Sequence, residues 1–208
     1  MQLPRGAKQG LATGALGLVV LVGFFIWSLV AYRSVHQPLS LVPGRVRQDF
    51  KVNVNADYII GIEVERKLPN ETIDCLLGVD YFEPKGTCAN TPSVLDVSWK
   101  LTSDGVPINT MSYAKMPLGA WSNSTIEAEL ASFKGQRGRR YALEFDIAQD
   151  GRQLTITNPM LVVHVDDWDY EDIVFSRSIA AVAFAVCAII VGLKKYSLAM
   201  KVPATTHH

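Results

Sequence analysis

Two stretches of the chain are apolar without interruption by any regular polar position. Leu11 to Ala31 is uncharged and almost wholly apolar or small. At ~1.5 Å rise per residue, those 21 residues span the ~30 Å hydrocarbon core of a bilayer. A second run extends from Ile173 to Leu193, broken only by Ser176, Arg177 and Ser178. Arg177 sits near its end, where the long stem carries the charge to the headgroups. The pattern predicts transmembrane helices at 11–32 and 173–193, tails at 1–10 and 194–208, and a domain at 33–172 between them.

That domain alternates with period two. Phe50, Val52 and Val54 are followed by Tyr58, Ile60, Ile62 and Val64, with Glu63 and Glu65 on the opposite face. Leu95, Val97, Trp99 and Leu101 run into Asp104-Gly105, beyond which Val106 and Ile108 resume. Ile126, Ala128 and Leu130 precede Tyr141, Leu143, Phe145 and Ile147. Asp150-Gly151 follows, then Leu154 and Ile156, and finally Leu161, Val163 and Val165 after Asn158-Pro159. Asp-Gly between alternating runs signals a hairpin, because its backbone accepts positive φ and matches strand twist. About seven short strands with turns between them predict a mainly β domain, an antiparallel β-sandwich with one wet and one buried face per sheet.

Gly138-Arg139-Arg140-Tyr141-Ala142-Leu143 adds a resemblance. A Gly shortly before a Tyr that opens a strand is similar to the tyrosine corner of immunoglobulin-like and fibronectin-like sandwiches. Trp99 resembles their core tryptophan. The likeness covers about half the domain. Residue 143 is Leu rather than Cys, and Cys75 and Cys88 both precede Trp99, so the inter-sheet disulfide of antibody domains is absent. The resemblance implies an architecture and no activity.

The net charge of zero conceals a partition. The domain holds 14 basic and 20 acidic side chains, a formal charge of −6, while the tails carry Arg5, Lys8, Lys194, Lys195 and Lys201 and no acid. Basic flanks stay in the cytoplasm, which places both tails inside and the domain outside. The first apolar run is longer than a signal-peptide h-region and lacks an A-x-A-like cleavage site, so it reads as an uncleaved anchor. Cys75 and Cys88 then lie in an oxidising compartment and are expected to form a disulfide of roughly 3 kcal/mol, with Cys187 free in the second span. No C-x-x-C spacing supports zinc or redox chemistry.

The densest polar cluster is His164, Asp166, Asp167, Asp169, Glu171 and Asp172, just before the second span. Carboxylates so grouped hold a hard cation such as Ca²⁺ when their order is right, but the D-x-D-x-D-G order is missing. The competing reading is a solvated linker with Trp168 and Tyr170 as interfacial anchors, and no metal or other cofactor is assigned. No hydrolase, zincin or phosphate-loop motif accompanies His164. The basic run Lys134 to Arg140 reads as a solvated loop, with anionic lipid headgroups as its alternative partner. Nucleic acid is disfavoured by the acidic domain. Asn70-Glu71-Thr72 and Asn123-Ser124-Thr125 match the glycosylation sequon. Ala181, Ala185, Ala188 and Gly192 on one span, and Gly10, Gly14 and Gly17 on the other, form small-residue faces that let helices approach closely.

The expectation is a non-enzymatic envelope component in a two-pass membrane protein, the bacterial inner membrane favoured. Its partners would be membrane lipid and another envelope or membrane protein, in an accessory, assembly or immunity-type role. The alternative is a metal-dependent ligand binder or enzyme using His164 and the Asp166 to Asp172 cluster.

Overall fold

The computed structural model describes residues 5–79, 88, 91–108, 111–112 and 118–201. In chain order the elements are α1 (Arg5–Tyr32), β1 (Arg33–Pro38), β2 (Gly44–Lys51), β3 (Ala56–Glu65), α2 (Asn70–Leu77), β4 (Val97–Ser103) and β5 (Val106–Pro107). There follow β6 (Met111–Ser112), β7 (Leu118–Trp121), β8 (Thr125–Gly135), β9 (Arg140–Ile147), a 3-10 helix at Arg152–Thr157, β10 (Met160–Val165) and α3 (Asp167–Lys201). Two compact units result: Ala31–Asp169, and the chain up to Val30 together with that from Tyr170 onward.

The strands of the first unit form two antiparallel sheets. One runs β1–β10–β3–β8, with β6 and β7 both paired to the far side of β8; the other runs β2–β9–β4–β5. The alternation dictates which side chains each sheet buries. Tyr58, Ile60, Ile62 and Val64 of β3 are fully buried, as are Leu161, Val163 and Val165 of β10. From the other sheet, Leu143 and Phe145 of β9 are equally hidden. An aromatic cluster joins the two faces: Phe50 and Tyr141 of the second sheet meet Phe133 of the first at 6.2 and 5.2 Å between ring centroids. Tyr58 stacks on Phe133 at 5.5 Å.

Several expectations change at this point. Asp104 and Gly105 have φ of 51° and 81° and close a two-residue hairpin between β4 and β5. Asp150-Gly151, the second expected hairpin, instead opens the 3-10 helix, with Gly151 at φ −89°. The Asp150 carboxylate accepts the backbone N–H of Arg152 and pairs with its guanidinium, so the local hydrogen bonds favour a helical turn. Leu154 is buried from that turn while Ile156 is exposed. The Tyr141 hydroxyl accepts the N–H of Gln136 at 2.9 Å, five residues upstream, and Gly138 has φ 81°. Trp99, however, is only half-buried and is no core tryptophan. The strand after the Tyr141 strand also departs from the immunoglobulin arrangement, because β10 pairs with β1 and β3 rather than with β9.

α2 was not legible as a helix and forms two turns ended by Gly78 at φ 74°. Its Ile73, Leu76 and Leu77 are buried. Cys75 on α2 forms a disulfide with Cys88, their Cα atoms 5.3 Å apart.

Among the described residues, α1 and α3 of the second unit are the two helices long and apolar enough to cross a membrane. Among the described residues helical ones outnumber strand ones, so mainly β describes only the intervening unit. α3 begins six residues before the apolar run, because Asp166 caps it by accepting the Trp168 N–H. The helices touch along a seam of small residues. A Cβ at Gly10 would lie 2.6 Å from the Gly192 carbonyl oxygen, and one at Gly17 would lie 3.1 Å from the Ala188 Cβ. Ala185 and Ala188 are buried and Ala181 half-buried. Gly14 is the exception: its own Cβ direction is open, although its backbone lies against Gly192.

Candidate functional site

The face of the six-stranded sheet opposite the aromatic cluster carries the densest buried charge. On β3, Ile59, Gly61 and Glu63 point to this face, since the alternate positions point to the core. Register brings Glu63 opposite Glu127 of β8, and His164 of β10 opposite both Ile59 and Arg33. Two carboxylates side by side repel unless each finds a cation. Glu63 accepts from Arg33 at 3.1 Å and lies 3.2 Å from His36 Nε2. Glu127 lies 3.0 and 3.1 Å from His164 Nε2. Glu63, Glu127 and His164 are all at least nine-tenths buried.

The Glu127–His164 pair bridges two strands that are not neighbours. β3 lies between β8 and β10, so the Glu127 side chain must cross it, a distance of about two strand spacings of ~4.8 Å. It crosses over Gly61, where any Cβ would collide with the Glu127 carboxylate. The register also shifts between Ile60 and Gly61, a bulge of the kind that re-aims side chains beside sites. Gly61 is therefore the residue that permits the pair.

Both ring nitrogens of His164 face acceptors, Nδ1 the Val165 carbonyl at 2.8 Å and Nε2 the Glu127 carboxylate. That arrangement fits the doubly protonated ring. Burial opposes the charge, but the Glu127 hydrogen bond and charge outweigh it, with help from the Val165 carbonyl and Asp167, and push His164 up to about 9. An imidazolium at neutral pH cannot act as a general base. Glu129, half-buried on the same face, is pushed up to about 7 by burial and then by the Glu127 charge, with His164 opposing. A cavity of 330 Å³ lies beside the pair, lined among others by Arg33, Glu63, Trp121, Thr125, Glu127 and His164.

The expected acidic cluster is dispersed. Asp166 caps α3, Asp167 accepts the Tyr32 hydroxyl at 2.8 Å, and Asp169 accepts the Asp57 N–H at 2.7 Å. Glu171 and Asp172 are exposed on α3, and Trp168 is 80% exposed. Of the six, only His164 and Asp167 line the cavity. Among the described residues no group of three or more His, Cys, Asp or Glu side chains is placed to hold a metal ion. Asn70 and Asn123 are both exposed, and the basic run forms the exposed turn between β8 and β9, where Arg137 N–H donates to Asn55.

Sequence reasoning missed Glu63, Glu127, Glu129 and Arg33, because acids alternating with apolar residues read as a wet face. The available signal was Gly61, a glycine inside an alternating strand, which marks a close approach.

No family model matches the chain, and no curated protein matches it significantly. Among solved structures it is similar to the crystal structure of a protein from Sulfurospirillum deleyianum, at 12% identity and a TM-score of 0.44, over 64% of this chain and 97% of that one.

Proposed function

We propose that the chain is a two-pass membrane protein, both tails cytoplasmic, that displays a disulfide-bonded β-sandwich outside the cytoplasm and acts by binding another envelope or membrane protein. The observation that supports this most is the close α1–α3 seam at Gly10–Gly192 and Gly17–Ala188. It supports reading the two apolar helices as a membrane hairpin, with the disulfide-linked domain as the chain between them. A domain tethered at both ends stays near the bilayer, which suits an accessory or assembly role toward membrane-bound neighbours. The all-basic tails orient the hairpin. Reporter fusions at the C-terminus are expected to score as cytoplasmic and fusions within 33–172 as external. Mild crosslinking in intact membranes followed by pull-down is expected to recover a specific membrane or envelope protein. Fusions with the reverse pattern overturn the topology, and recovery of the chain alone overturns the partner.

The cavity beside Glu127 and His164 supports a second reading, in which this face binds a small polar ligand. A shift in the domain's melting temperature on adding Ca²⁺, reversed by EDTA, would favour a metal-dependent form of it; an unchanged melt removes that form.

A further inference from the structure

Arg177 is the single charge inside the apolar stretch of either span. In the bilayer its burial is costly unless a partner or the headgroups receive it. The positions three and four residues away on α3 are Ile173, Val174, Ala180 and Ala181, none of them acidic. None of the ion pairs among the described residues includes Arg177. What it does meet is Trp27 of α1, with the guanidinium carbon 4.6 Å from the ring centroid. The cation thus lies over the indole ring, and a contact of that kind uses none of the hydrogen-bonding capacity of its N–H fork.

The antiparallel seam gives this pair a depth. Gly10 faces Gly192, Gly17 faces Ala185 and Ala188, and Trp27 faces Arg177, all in one register. That register also sets Lys8 beside Lys194 and Lys195. Between the lysine level and the Trp27–Arg177 level, each helix rises about 26–28 Å at ~1.5 Å per residue. This matches the hydrocarbon thickness of ~30 Å. Lysines therefore mark one boundary and the Trp–Arg pair the other, with Glu171 and Asp172 beyond it on the water side. A tryptophan belongs at that depth. The acceptor present there in quantity is the phosphate of a lipid headgroup, and a guanidinium fork fits a phosphate with two parallel hydrogen bonds.

From this juxtaposition we infer that Arg177, held over the ring of Trp27, is a binding site for the phosphate of an outer-leaflet phospholipid. The inference rests on the proposed topology. Trp27 supplies no hydrogen bond to the ligand; it positions the fork and removes the freedom that a lone arginine would lose on binding.

The test is native mass spectrometry of the full chain in a mild detergent, titrated with phosphatidylglycerol. The wild-type protein is expected to retain a lipid molecule that Arg177→Gln binds about tenfold more weakly, the equivalent of one charge-assisted hydrogen bond. Trp27→Leu is expected to weaken binding with the charge intact, and Arg177→Lys to restore only part of it, because an ammonium neither stacks nor forks. Equal lipid retention by wild type and Arg177→Gln overturns the site. Displacement of the lipid by inorganic phosphate at equal concentration overturns its assignment to a phospholipid. Alkaline extraction of membranes separates the two layers of argument. If the wild-type chain washes off, the membrane reading fails. If it stays and Arg177→Gln still binds lipid normally, only this inference fails.

Discussion

Replacing Glu127 by Gln removes one charge from the buried pair while keeping the shape and an acceptor. In the wild type, His164 is raised from its ordinary 6.5 to about 9. At ~1.36 kcal/mol per factor of ten in acidity, that difference amounts to about 3 kcal/mol of folding stability. The group is raised, so its contribution is complete below about pH 6.5 and is lost as pH rises through about 9. Glu129 is also raised, from 4.5 to about 7, so its contribution too is lost as pH rises, but already through about 7. The interval from pH 7.5 to 9.5 therefore isolates His164 from Glu129. Urea unfolding of the full-length protein in detergent, followed by tryptophan fluorescence, reads the intervening unit. We expect the wild type to lose about 2 kcal/mol across that interval and Glu127→Gln to lose under about 1 kcal/mol. The variant should fall below wild type by about 3 kcal/mol at pH 6.5, since removal of one partner strands a buried imidazolium. At pH 9.5 the two should nearly coincide. A flat wild-type profile, or a His164 ring signal titrating near 6.5, refutes the reasoning.

Gly61→Ala should destabilise the domain by about 1–3 kcal/mol, because the added Cβ meets the Glu127 carboxylate and must break its bond to His164; calorimetry should show no comparable loss for Gly138→Asn, where the left-handed backbone is kept and the space is open. Gly10→Leu should weaken the α1–α3 hairpin by on the order of 1 kcal/mol, whereas Gly14→Ala should leave it unchanged because nothing lies within 4 Å of that Cβ; in a Cys187→Ala background, cysteines at positions 10 and 192 should crosslink within one chain, and failure to do so despite proven reactivity would reject the seam. Non-reduced digests should link Cys75 to Cys88, and the double serine variant should lose roughly 3 kcal/mol by urea titration.

The sequence alone determined the elements whose physics is local. Leu11 to Ala31 is apolar for long enough that a helix across a bilayer satisfies its backbone. The alternation at 58–64 and 141–147 has a two-residue period, which is that of an extended strand and not of a helix. Asp104-Gly105 closes its hairpin because those two residues accept positive φ. Local chemistry also explains the failures. Asp150-Gly151 offered the same dipeptide, but the Asp150 carboxylate bonded Arg152 and turned the chain into a 3-10 helix. β1 lies at a sheet edge with Arg33, His36 and Gln37 among its six residues, and an edge strand need not alternate in an apolar pattern.

The candidate site belonged to the tertiary structure. Arg33, Glu63, Glu127 and His164 are drawn from four strands, and no local spacing relates them. They meet because β10 crosses from the end of the 3-10 helix to lie between β1 and β3, and because Gly61 leaves a gap through which one side chain can reach two strands away. Glu63 and Glu127 alternate with apolar neighbours as solvent-facing residues do. Whether such a face is wet or buried depends on what packs around it, and a one-dimensional period carries no information about that. The same limit applied to the acidic cluster before α3: its residues are adjacent in sequence, yet a helix cap, a tyrosine hydroxyl and a backbone N–H each claimed a different carboxylate. Proximity along the chain creates a cluster of charge, but only the directions of the folded backbone decide whether those charges converge.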